Sequence, residues 1–517
     1  MEFHRPRVTS VAWANDNQTL FYVNEDTITK RADSLYRHSF SQADDSLIFK
    51  EKDEQFRLEL HTSLRGDYLF LRSSSSTSSE VSYLSSNQAE GNWRHVLSRK
   101  PNIDYDAHIQ AGYFYLRIND KGKNFRLVKT LIDQINAARW QEVTPHRADV
   151  KLEGLELFRD FMVIHERENG VQQIAIQNLT DGKQHRIEFP EAIYEVSASD
   201  NLEWDTSLFR YSYQSLTKPI SVFEYDMATK SLKLVKQQAF LGGFDAKNYI
   251  SERRFAKADD GTMIPISLVY KKGIALDGSA PLYLTAYGAY GSTVKTRFSI
   301  ERQSLLDRGV IVAMAHVRGG GDLGSKWYDQ GKMLKKKNTF TDFISCAESL
   351  IEDKYTNKNR LVIGGRSAGG LLMGAVTNMR PDLFKAVLTQ VPFVDTLNTM
   401  LDPTLPLVVG EYQEWGSPTV KKYYQYIKSY SPYDNLKAGK YPTILVKTSF
   451  NDSQVMYWEP AKYVAKLRTL KHDNTPLLFV TNMNAGHSGA SGRFDELHDL
   501  AFDYAFILNQ MEIEVLF

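Results

Sequence analysis

The chain has 517 residues, 42% of them hydrophobic and 24% charged, as in ordinary globular proteins. Its 63 basic and 62 acidic residues give a net charge of +1, so no overall field favours nucleic acid or an anionic membrane surface. The single cysteine, Cys346, excludes an intrachain disulfide and a cysteine-rich metal site. No apolar run approaches the roughly 20 residues that cross a bilayer, and the first residues lack the apolar core of a secretory signal. We therefore expect a cytoplasmic protein without metal or cofactor.

Residues 1–245 have the pattern of a β-sheet domain. Short apolar runs such as 19–23 and 68–71 are separated by clusters of Asp, Asn, Gly and Ser. Units of about four strands recur every 43 to 47 residues, which is the period of propeller blades. These units begin near Ser10, Arg57, Asp104, Lys151 and Tyr194. The pattern predicts a β-propeller with about five blades, and the alternative is an irregular array of β-sandwiches. The serine-rich stretch 73–79 is interpreted as a loop between strands.

Residues 246–513 change to apolar runs that alternate with amphipathic segments of 12 to 20 residues. Runs of this kind are typical of strands buried on both faces and connected by helices, so we expect a mostly parallel, doubly wound α/β sheet. The predicted strands are 281–286, 310–314, 361–363, 386–389, 443–446 and 476–480. Cys346 falls near the apolar stripe of a predicted helix over 339–355, which favours a packed thiol over a nucleophile.

The segment 364–370 (GGRSAGG) follows an apolar run and precedes a helical pattern, so it predicts a strand, a sharp turn and a helix. Gly365 and Gly369 flank Ser367 in the G-x-S-x-G pattern of a nucleophile elbow. In such a turn the serine hydroxyl is exposed, and the backbone N–H of Ala368 faces a developing oxyanion. The alternative is a glycine-rich turn that only packs. The residues downstream decide between the two.

A serine nucleophile needs a base to accept its proton and an acid to orient that base. In α/β-hydrolases the acid and then the histidine follow the serine in sequence, each in a loop after a strand. Asp452 is the single carboxylate in the loop 449–453, and His487 lies in the loop that follows the 476–480 strand. The alternatives are a turn-forming aspartate and a loop histidine that bonds the backbone. In this order, after the elbow, the residues predict a catalytic triad.

A second oxyanion donor is expected from the loop after an earlier strand. Here that loop is 286–291 (AYGAYG), whose glycines allow close approach to a substrate. The hydroxyl of Tyr287 or Tyr290 could point into the oxyanion hole. Aromatic packing is the competing explanation for either tyrosine, and the residues alone leave both open.

The motifs of the second half together resemble the prolyl oligopeptidase family, and in particular its oligopeptidase B branch. They are 316–324 (HVRGGGDLG), 364–374 (GGRSAGGLLMG), 390–395 (QVPFVD), 431–435 (SPYDN), 457–462 (YWEPAK) and 486–494 (GHSGASGRF). The resemblance implies a propeller that caps an α/β-hydrolase and the cleavage of short peptides. It also implies that Ser367, Asp452 and His487 form the triad, that Tyr287 is the side-chain oxyanion donor, and that Tyr290 lines the substrate pocket.

The same resemblance implies cleavage after Arg or Lys, with the S1 pocket lined by an acidic segment that corresponds to 410–415 (GEYQEW). Glu411 matches the pattern and Trp415 closes the segment, but Gln413 stands where a second glutamate is usual, which removes one charge. Lys295 and Arg297 replace a further acidic pair, and we expect them to repel a second basic residue.

Arg366 also replaces a usually small residue. The preference for a basic residue at P1, the residue on the acyl side of the scissile bond, is therefore expected to be weakened.

The resemblance further implies an N-terminal segment and seven blades, of which this chain is expected to lack the segment and the first blades. An open ring would expose apolar blade faces. Residues 514–517 resemble part of an expression-related protease site. The leading interpretation is a serine oligopeptidase for short peptides, of unknown oligomeric state. The alternatives are an esterase or peptidase of altered specificity, and a truncated, non-catalytic binding protein.

Overall fold

The computed structural model describes residues 4–42, 44–240 and 242–513. Its first half contains five four-stranded antiparallel sheets, each with its strands in chain order. Their first strands begin at Val8, Arg57, Tyr105, Val150 and Glu195, within two residues of the predicted unit starts. The prediction of five propeller blades is therefore confirmed. The predicted tail, 514–517, lies outside the described residues.

Each blade is a meander in which tight turns join neighbouring strands. Blade 1 contains β1 (Val8–Trp13), β2 (Thr19–Glu25), β3 (Ala32–Ser39) and β4 (Ser46–Lys50). Blade 2 contains β5 (Arg57–Thr62), β6 (Tyr68–Ser74), β7 (Ser79–Ser85) and β8 (Arg94–Leu97). Blade 3 contains β9 (Tyr105–Gln110), β10 (Tyr113–Ile118), β11 (Arg126–Leu131) and β12 (Gln141–Thr144). Blade 4 contains β13 (Val150–Leu157), β14 (Phe161–Glu168), β15 (Val171–Asn178) and β16 (Gln184–Arg186). Blade 5 contains β17 (Glu195–Ala198), β18 (Leu208–Gln214), β19 (Ser221–Asp226) and β20 (Leu232–Gln237).

Apolar clusters join each blade to the next, from blade 1 through to blade 5. Among the described residues, none of these clusters joins blade 5 back to blade 1. Large apolar side chains remain exposed on both terminal blades, including Val11 and Trp13 on β1 and Leu232 and Leu234 on β20. The described clusters that join consecutive blades do not extend between these two terminal blades, as expected for an open ring.

The serine-rich stretch is shorter as a loop than expected. Ser73 and Ser74 end β6 and Ser79 begins β7, so only residues 75–78 form the turn between them. The backbone N–H of Ser75 donates to the carbonyl of Ser78, which closes a tight hairpin. Serine is compatible with both the strand and the turn, and the composition of the run therefore could not locate its boundaries.

The second half is built on one eight-stranded sheet in the order β21-β22-β24-β23-β25-β26-β27-β28. In this order, β21 and β22 are antiparallel to their neighbours. The other six strands, β23 to β28, are parallel to one another. The strands are β21 (Tyr249–Lys257), β22 (Met263–Lys271), β23 (Leu282–Thr285), β24 (Ile311–Ala315), β25 (Leu361–Arg366), β26 (Ala386–Gln390), β27 (Thr443–Ser449) and β28 (Leu477–Asn482). The predicted mostly parallel sheet is thus confirmed.

Nine α-helices are described in this half, and they cover both faces of the sheet. They are α1 (Gln303–Leu306), α2 (Ser325–Asp329), α3 (Lys337–Glu352), α4 (Ala368–Met379), α5 (Thr396–Leu401), α6 (Val408–Trp415), α7 (Lys421–Lys428), α8 (Trp458–Leu470) and α9 (Arg493–Gln510). Cys346 lies fully buried in α3, where burial raises its thiol pKa, so it is a packing residue. Among the described residues, none of the helices combines the length and apolar character of a bilayer-crossing segment.

The strand order reverses at β23, because β24 lies on one side of it and β25 on the other. In open α/β sheets, ligands bind beyond the carboxyl ends of strands at such a switch point. Tyr287 follows β23 and Ser367 follows β25, so the fold brings these two distant residues to the same edge.

Candidate active site

Ser367 occupies a strained turn between β25 and α4. Its backbone has φ 55° and ψ −119°, a conformation that non-glycine residues rarely adopt. A Cβ at Gly365 would lie 2.3 Å from the carbonyl oxygen of Gly369, so the turn requires glycine there. The N–H of Ala368 is the first of helix α4 and has no acceptor within the helix, and the helix dipole adds partial positive charge at this end. The geometry therefore suits a nucleophile beside an oxyanion.

Asp452 and His487 form a hydrogen-bonded pair beyond β27 and β28. His487 Nδ1 lies 2.7 Å from Asp452 Oδ2. The other carboxylate oxygen accepts from the backbone N–H groups of Gln454 and Val455, at 2.8 and 2.9 Å. The Asp452 side chain is fully buried. It is thus fixed as an acceptor, and this leaves His487 Nε2 as the ring nitrogen available to a serine hydroxyl.

Ser367 and His487 are both described, and no hydrogen bond joins their side chains. Hydrogen bonds between catalytic groups are often long without substrate and shorten when it binds. Arg366 instead links the two loops, because its guanidinium Nη2 donates to the backbone carbonyl of His487. Burial lowers the pKa of Arg366, an effect opposed by the charges of Asp452 and two other carboxylates. The arginine that departs from the expected pattern therefore ties the histidine loop to the elbow.

Tyr287 lies beside the elbow at the end of β23. Burial raises its pKa to about 12, an effect opposed by the hydrogen-bonding interaction of its hydroxyl with Ser367. At neutral pH the phenol is therefore protonated and able to donate. Tyr290 points elsewhere, since its hydroxyl donates to Glu411 Oε2 at 3.0 Å and its ring packs edge-on against Trp415. Of the two tyrosines left open by the sequence, only Tyr287 interacts with Ser367.

Ser367 opens into a cavity of about 510 Å³, which is the size of a small-ligand site. The hydrolase half contributes an apolar wall that includes Phe393, Met400 and Val455, together with the carboxylates of Glu411 and Glu414. The propeller contributes the opposite wall, formed by Gln55, Arg57 and Ser74 to Ser76. The cavity thus lies between the two halves of the chain.

The comparisons with known proteins identify the chain's relatives. The profile of the prolyl oligopeptidase family matches residues 296–514, and that of its N-terminal beta-propeller domain matches residues 2–238. The chain belongs to the prolyl oligopeptidase family of serine peptidases, in its oligopeptidase B branch. It is 42% identical to Dipeptidyl aminopeptidase BI of Pseudoxanthomonas mexicana over 98% of its length and 70% of that protein. It is 38% identical to Protease 2 of Moraxella lacunata over 98% and 73% of the two chains.

Solved structures agree with this assignment to the family. Oligopeptidase B from Leishmania major superposes with a TM-score of 0.93 at 37% identity, covering 98% of this chain and 72% of that one. Oligopeptidase B from Trypanosoma brucei with covalently bound antipain superposes with a TM-score of 0.94 at 36% identity, covering 98% of this chain and 73% of that one. The alternative of a non-catalytic binding protein finds no support in these relatives.

The side chains of the acidic segment 410–415 point in two directions, towards the cavity and towards the propeller. Glu411 is partly buried on the cavity wall, and its Oε2 accepts from Tyr290 and, at 2.8 Å, from Trp415 Nε1. Burial raises the pKa of Glu411, an effect opposed by these two hydrogen bonds. Trp415 is fully buried beneath the cavity. In contrast to its expected role, Trp415 does not line the cavity itself but donates to Glu411, which does.

Gln413 lies outside the cavity, contrary to the expectation from the sequence. Its Nε2 donates to Gln55 Oε1 at 2.7 Å, and its Oε1 accepts from Thr77 at 3.3 Å. Both partners belong to the propeller. On helix α6, residues 411 and 413 point in different directions, since only residues three or four apart share a helix face. Gln413 is thus a contact between the two halves of the peptidase.

Lys295 and Arg297 are also engaged with the propeller. Arg297 donates to both carboxylate oxygens of Glu195 at 2.9 Å, and Lys295 Nζ lies 3.7 Å from the same group. The single carboxylate of Glu195 offsets one of the two positive charges, so the expected repulsion of a second basic residue stays a prediction. No local pattern predicted this acceptor, which lies about 100 residues earlier at the start of blade 5.

A second Ser-His-Asp arrangement occurs in the peptidase. Ser267 Oγ lies 2.7 Å from His316 Nε2, and His316 Nδ1 lies 2.9 Å from Asp322 Oδ1. All three residues are at most 2% exposed, and the adjoining cavity measures only about 10 Å³. Ser267 also lies within β22 instead of a strained turn. A space that holds about one water cannot admit a peptide, so this arrangement is structural.

Three residues near the site were not singled out from the sequence. Glu414 is next to Gln413 in the acidic segment, and its place on the cavity side was detectable from helical spacing to Glu411. Lys336 lies in a run of three lysines, 335–337, which predicts solvent-exposed side chains, yet Lys336 is only 1% exposed. Arg57 opens the first strand of blade 2, and no sequence feature relates it to the cavity.

Proposed function

We propose that this peptidase hydrolyses short peptides after a basic residue, through an acyl-enzyme formed on Ser367. One observation carries the proposal. The bonded pair Asp452–His487 lies at the same sheet edge as Ser367, whose cavity also contains the carboxylate of Glu411. The strained backbone of Ser367 supports the assignment, since such strain concentrates at functional sites.

In the proposed reaction, His487 Nε2 accepts the hydroxyl proton of Ser367 while Oγ attacks the scissile carbonyl carbon. The oxyanion then accepts hydrogen bonds from the Tyr287 hydroxyl and the Ala368 N–H. Collapse breaks the C–N bond, and the protonated histidine transfers its proton to the leaving amine. A water molecule, deprotonated by His487, then hydrolyses the ester. Asp452 holds the proton on Nδ1 throughout and stabilises the imidazolium.

Glu411 is proposed as the partner of a basic P1 side chain. Its Oε2 already accepts two hydrogen bonds, from Tyr290 and Trp415, and these orient the carboxylate. No hydrogen bond from the described residues reaches Oε1, which remains an acceptor for a guanidinium or ammonium group. With one free oxygen and no second glutamate at position 413, we propose a preference for Arg or Lys that rests on a single contact.

Two measurements test this function. A fluorophosphonate probe should add once to the wild-type protein and not to Ser367→Ala, as shown by intact mass. Matched peptides with Arg, Lys, Leu or Phe at P1 should then give the highest kcat/KM for Arg and Lys. Efficient ester hydrolysis without cleavage of any peptide would contradict the proposal and favour an esterase. A flat ranking would favour a peptidase of altered specificity.

The relative named Dipeptidyl aminopeptidase BI supports a second candidate, the removal of dipeptides from free N-termini. The two candidates are separated by one pair of substrates, a dipeptide amide with a free amino group and the same compound acetylated. Cleavage of only the free form would support the dipeptidyl peptidase. Cleavage of both, at similar kcat/KM, would support the oligopeptidase.

A further inference from the structure

Two charged side chains lie buried beneath the loop that carries Tyr287, and the reaction steps above use neither. Glu414 belongs to α6 and Lys336 immediately precedes α3, and each is only 1% exposed. Removing an ionised group from water is strongly unfavourable unless hydrogen bonds and an opposite charge compensate for it. Their contacts therefore indicate what the fold gains from burying them.

Glu414 binds the backbone of the loop. Its Oε1 accepts from the N–H of Tyr290 at 3.0 Å, and its Oε2 accepts from the hydroxyl of Tyr328, on α2, at 2.5 Å. Tyr290 has φ 58°, an unfavourable conformation for a bulky residue. A charge-assisted hydrogen bond to its N–H is among the strong contacts that can maintain such a conformation.

Lys336 binds the same loop two residues earlier. Its Nζ donates to the carbonyl oxygen of Gly288 at 2.5 Å and lies 5.0 Å from the centroid of the Trp415 ring. Burial lowers the pKa of Lys336 to about 8, an effect opposed by the charge of Glu414. Gly288 directly follows Tyr287, and its carbonyl belongs to the peptide unit that joins Gly288 to Ala289, so this hydrogen bond fixes the backbone one residue after the tyrosine.

The loop has little freedom once these contacts form. Gly288 has φ 72°, and a Cβ there would lie 2.4 Å from the side chain of Thr339 and 2.7 Å from that of Val317. The N–H of Gly291 donates to the carbonyl of Gly319 at 3.0 Å. The loop is thus packed against Thr339, Val317 and Gly319. Its backbone also forms one hydrogen bond with each of the two charged side chains, Lys336 and Glu414.

We infer that Lys336 and Glu414 are positioning residues that hold the Tyr287 hydroxyl at the oxyanion site. The inference rests on the proposed role of Tyr287. Through their hydrogen bonds to the loop backbone, the two buried side chains would contribute to transition-state stabilisation in addition to any effect on folding. A misplacement of about 1 Å can reduce a rate by about 10²-fold, and loss of an oxyanion donor costs about 10²- to 10³-fold in kcat.

A double-mutant cycle between Lys336→Met and Tyr287→Phe tests the inference. Lys336→Met alone should lower kcat by about 10²-fold with little change in KM, as expected when only the transition state loses stabilisation. Combined with Tyr287→Phe, it should lower kcat by little more than Tyr287→Phe alone, because the group that it positions is already absent. Each kcat is normalised to the fraction of sites that react with the fluorophosphonate probe.

A matched control is Lys466→Met, since Lys466 Nζ also donates to a backbone carbonyl, that of Tyr433, at 2.8 Å. It should leave kcat within a few-fold of wild type. Glu414→Gln and Glu414→Met give an independent pair if Lys336→Met does not fold. The glutamine retains a carbonyl acceptor for the Tyr290 N–H and should keep most of kcat, whereas the methionine should lose it.

The outcomes separate the inference from the proposed function. Suppose that Tyr287→Phe lowers kcat, and that the loss in the double variant equals the product of the losses in the two single variants. The lysine then acts independently of the tyrosine, and the inference is wrong. If Tyr287→Phe leaves kcat unchanged, the proposed oxyanion role fails and the inference fails with it. Equal losses for both Glu414 variants would also overturn it.

Discussion

Asp452 holds His487 through one carboxylate oxygen while its other oxygen is bound by two backbone N–H groups. The Nδ1–Oδ2 distance is 2.7 Å, and the N–H groups of Gln454 and Val455 are 2.8 and 2.9 Å from Oδ1. The carboxylate is therefore fixed by its own loop before it orients the histidine. Because both loops follow adjacent parallel strands, β27 and β28, the sheet itself sets the spacing of the pair.

Asp452→Asn should reduce kcat by about 10⁴-fold, because an amide can donate to Nδ1 and so favours the wrong histidine tautomer. The exchange is nearly isosteric, and the substrate still binds, so KM should change little. Steady-state kinetics on an Arg peptide, with the thermal midpoint as a check on folding, measure the effect. A loss of less than tenfold would show that His487 is oriented by something else.

Arg366→Met should reduce kcat/KM by about tenfold, which is about 1.4 kcal/mol of transition-state stabilisation. The change removes the donor to the carbonyl of His487 and leaves an unbranched side chain of similar length, so the histidine loop loses its tie to the elbow. Arg308→Met serves as the control, since within the described part of the chain the Arg308 side chain donates only to Ser304, one helical turn earlier. Equal activity of the two variants would contradict the positioning role of Arg366.

The sequence predicted the parts of this site that depend on local pattern. Ser367, Asp452 and His487 each lie in the loop after an apolar strand, and parallel strands end at one edge, so their proximity could be expected without coordinates. The contacts of Lys336 and Glu414 could not be predicted, because they depend on where α2, α3 and α6 converge beneath one loop. Gln413 was misplaced for a similar reason, since its partners Gln55 and Thr77 come from the propeller, more than 330 residues earlier.

Glu411→Gln should abolish the preference for basic substrates without impairing the chemistry. The amide keeps an acceptor for Tyr290 and Trp415 but removes the charge that pairs with a P1 cation. We expect kcat/KM to fall by about 10- to 100-fold for Arg and Lys peptides, in line with the loss of one charge-assisted contact, and to stay nearly constant for Leu and Phe peptides. An equal decrease in kcat/KM for all four peptides would mean that Glu411 supports the fold of the pocket and not its selectivity.

The selectivity should also depend on pH. Burial raises the pKa of Glu411, so this carboxylate takes up its proton at a higher pH than an exposed glutamate. As the pH falls through that raised pKa, the ratio of kcat/KM for Arg to that for Leu should decrease. The ratio cancels any effect of pH on the chemical steps, which are the same for both substrates. A ratio that stays constant down to the ordinary glutamate range would show that the ionised carboxylate does not select the substrate.

Gln413→Glu restores the charge that the oligopeptidase B pattern has at this position, and it should not increase the preference for Arg. The side chain at 413 does not line the cavity of Ser367 and Glu411, because it bonds Thr77 and stands behind Gln55, which forms part of the cavity wall. A carboxylate there can still accept from Thr77 and from the Gln55 amide after rotation, so the fold should tolerate it. The kcat/KM ratio of Arg to Leu peptides measures the outcome, with Glu411→Gln as the reference for a change inside the cavity. A rise of tenfold or more would mean that residue 413 reaches the substrate when it binds, and that the two halves rearrange around it.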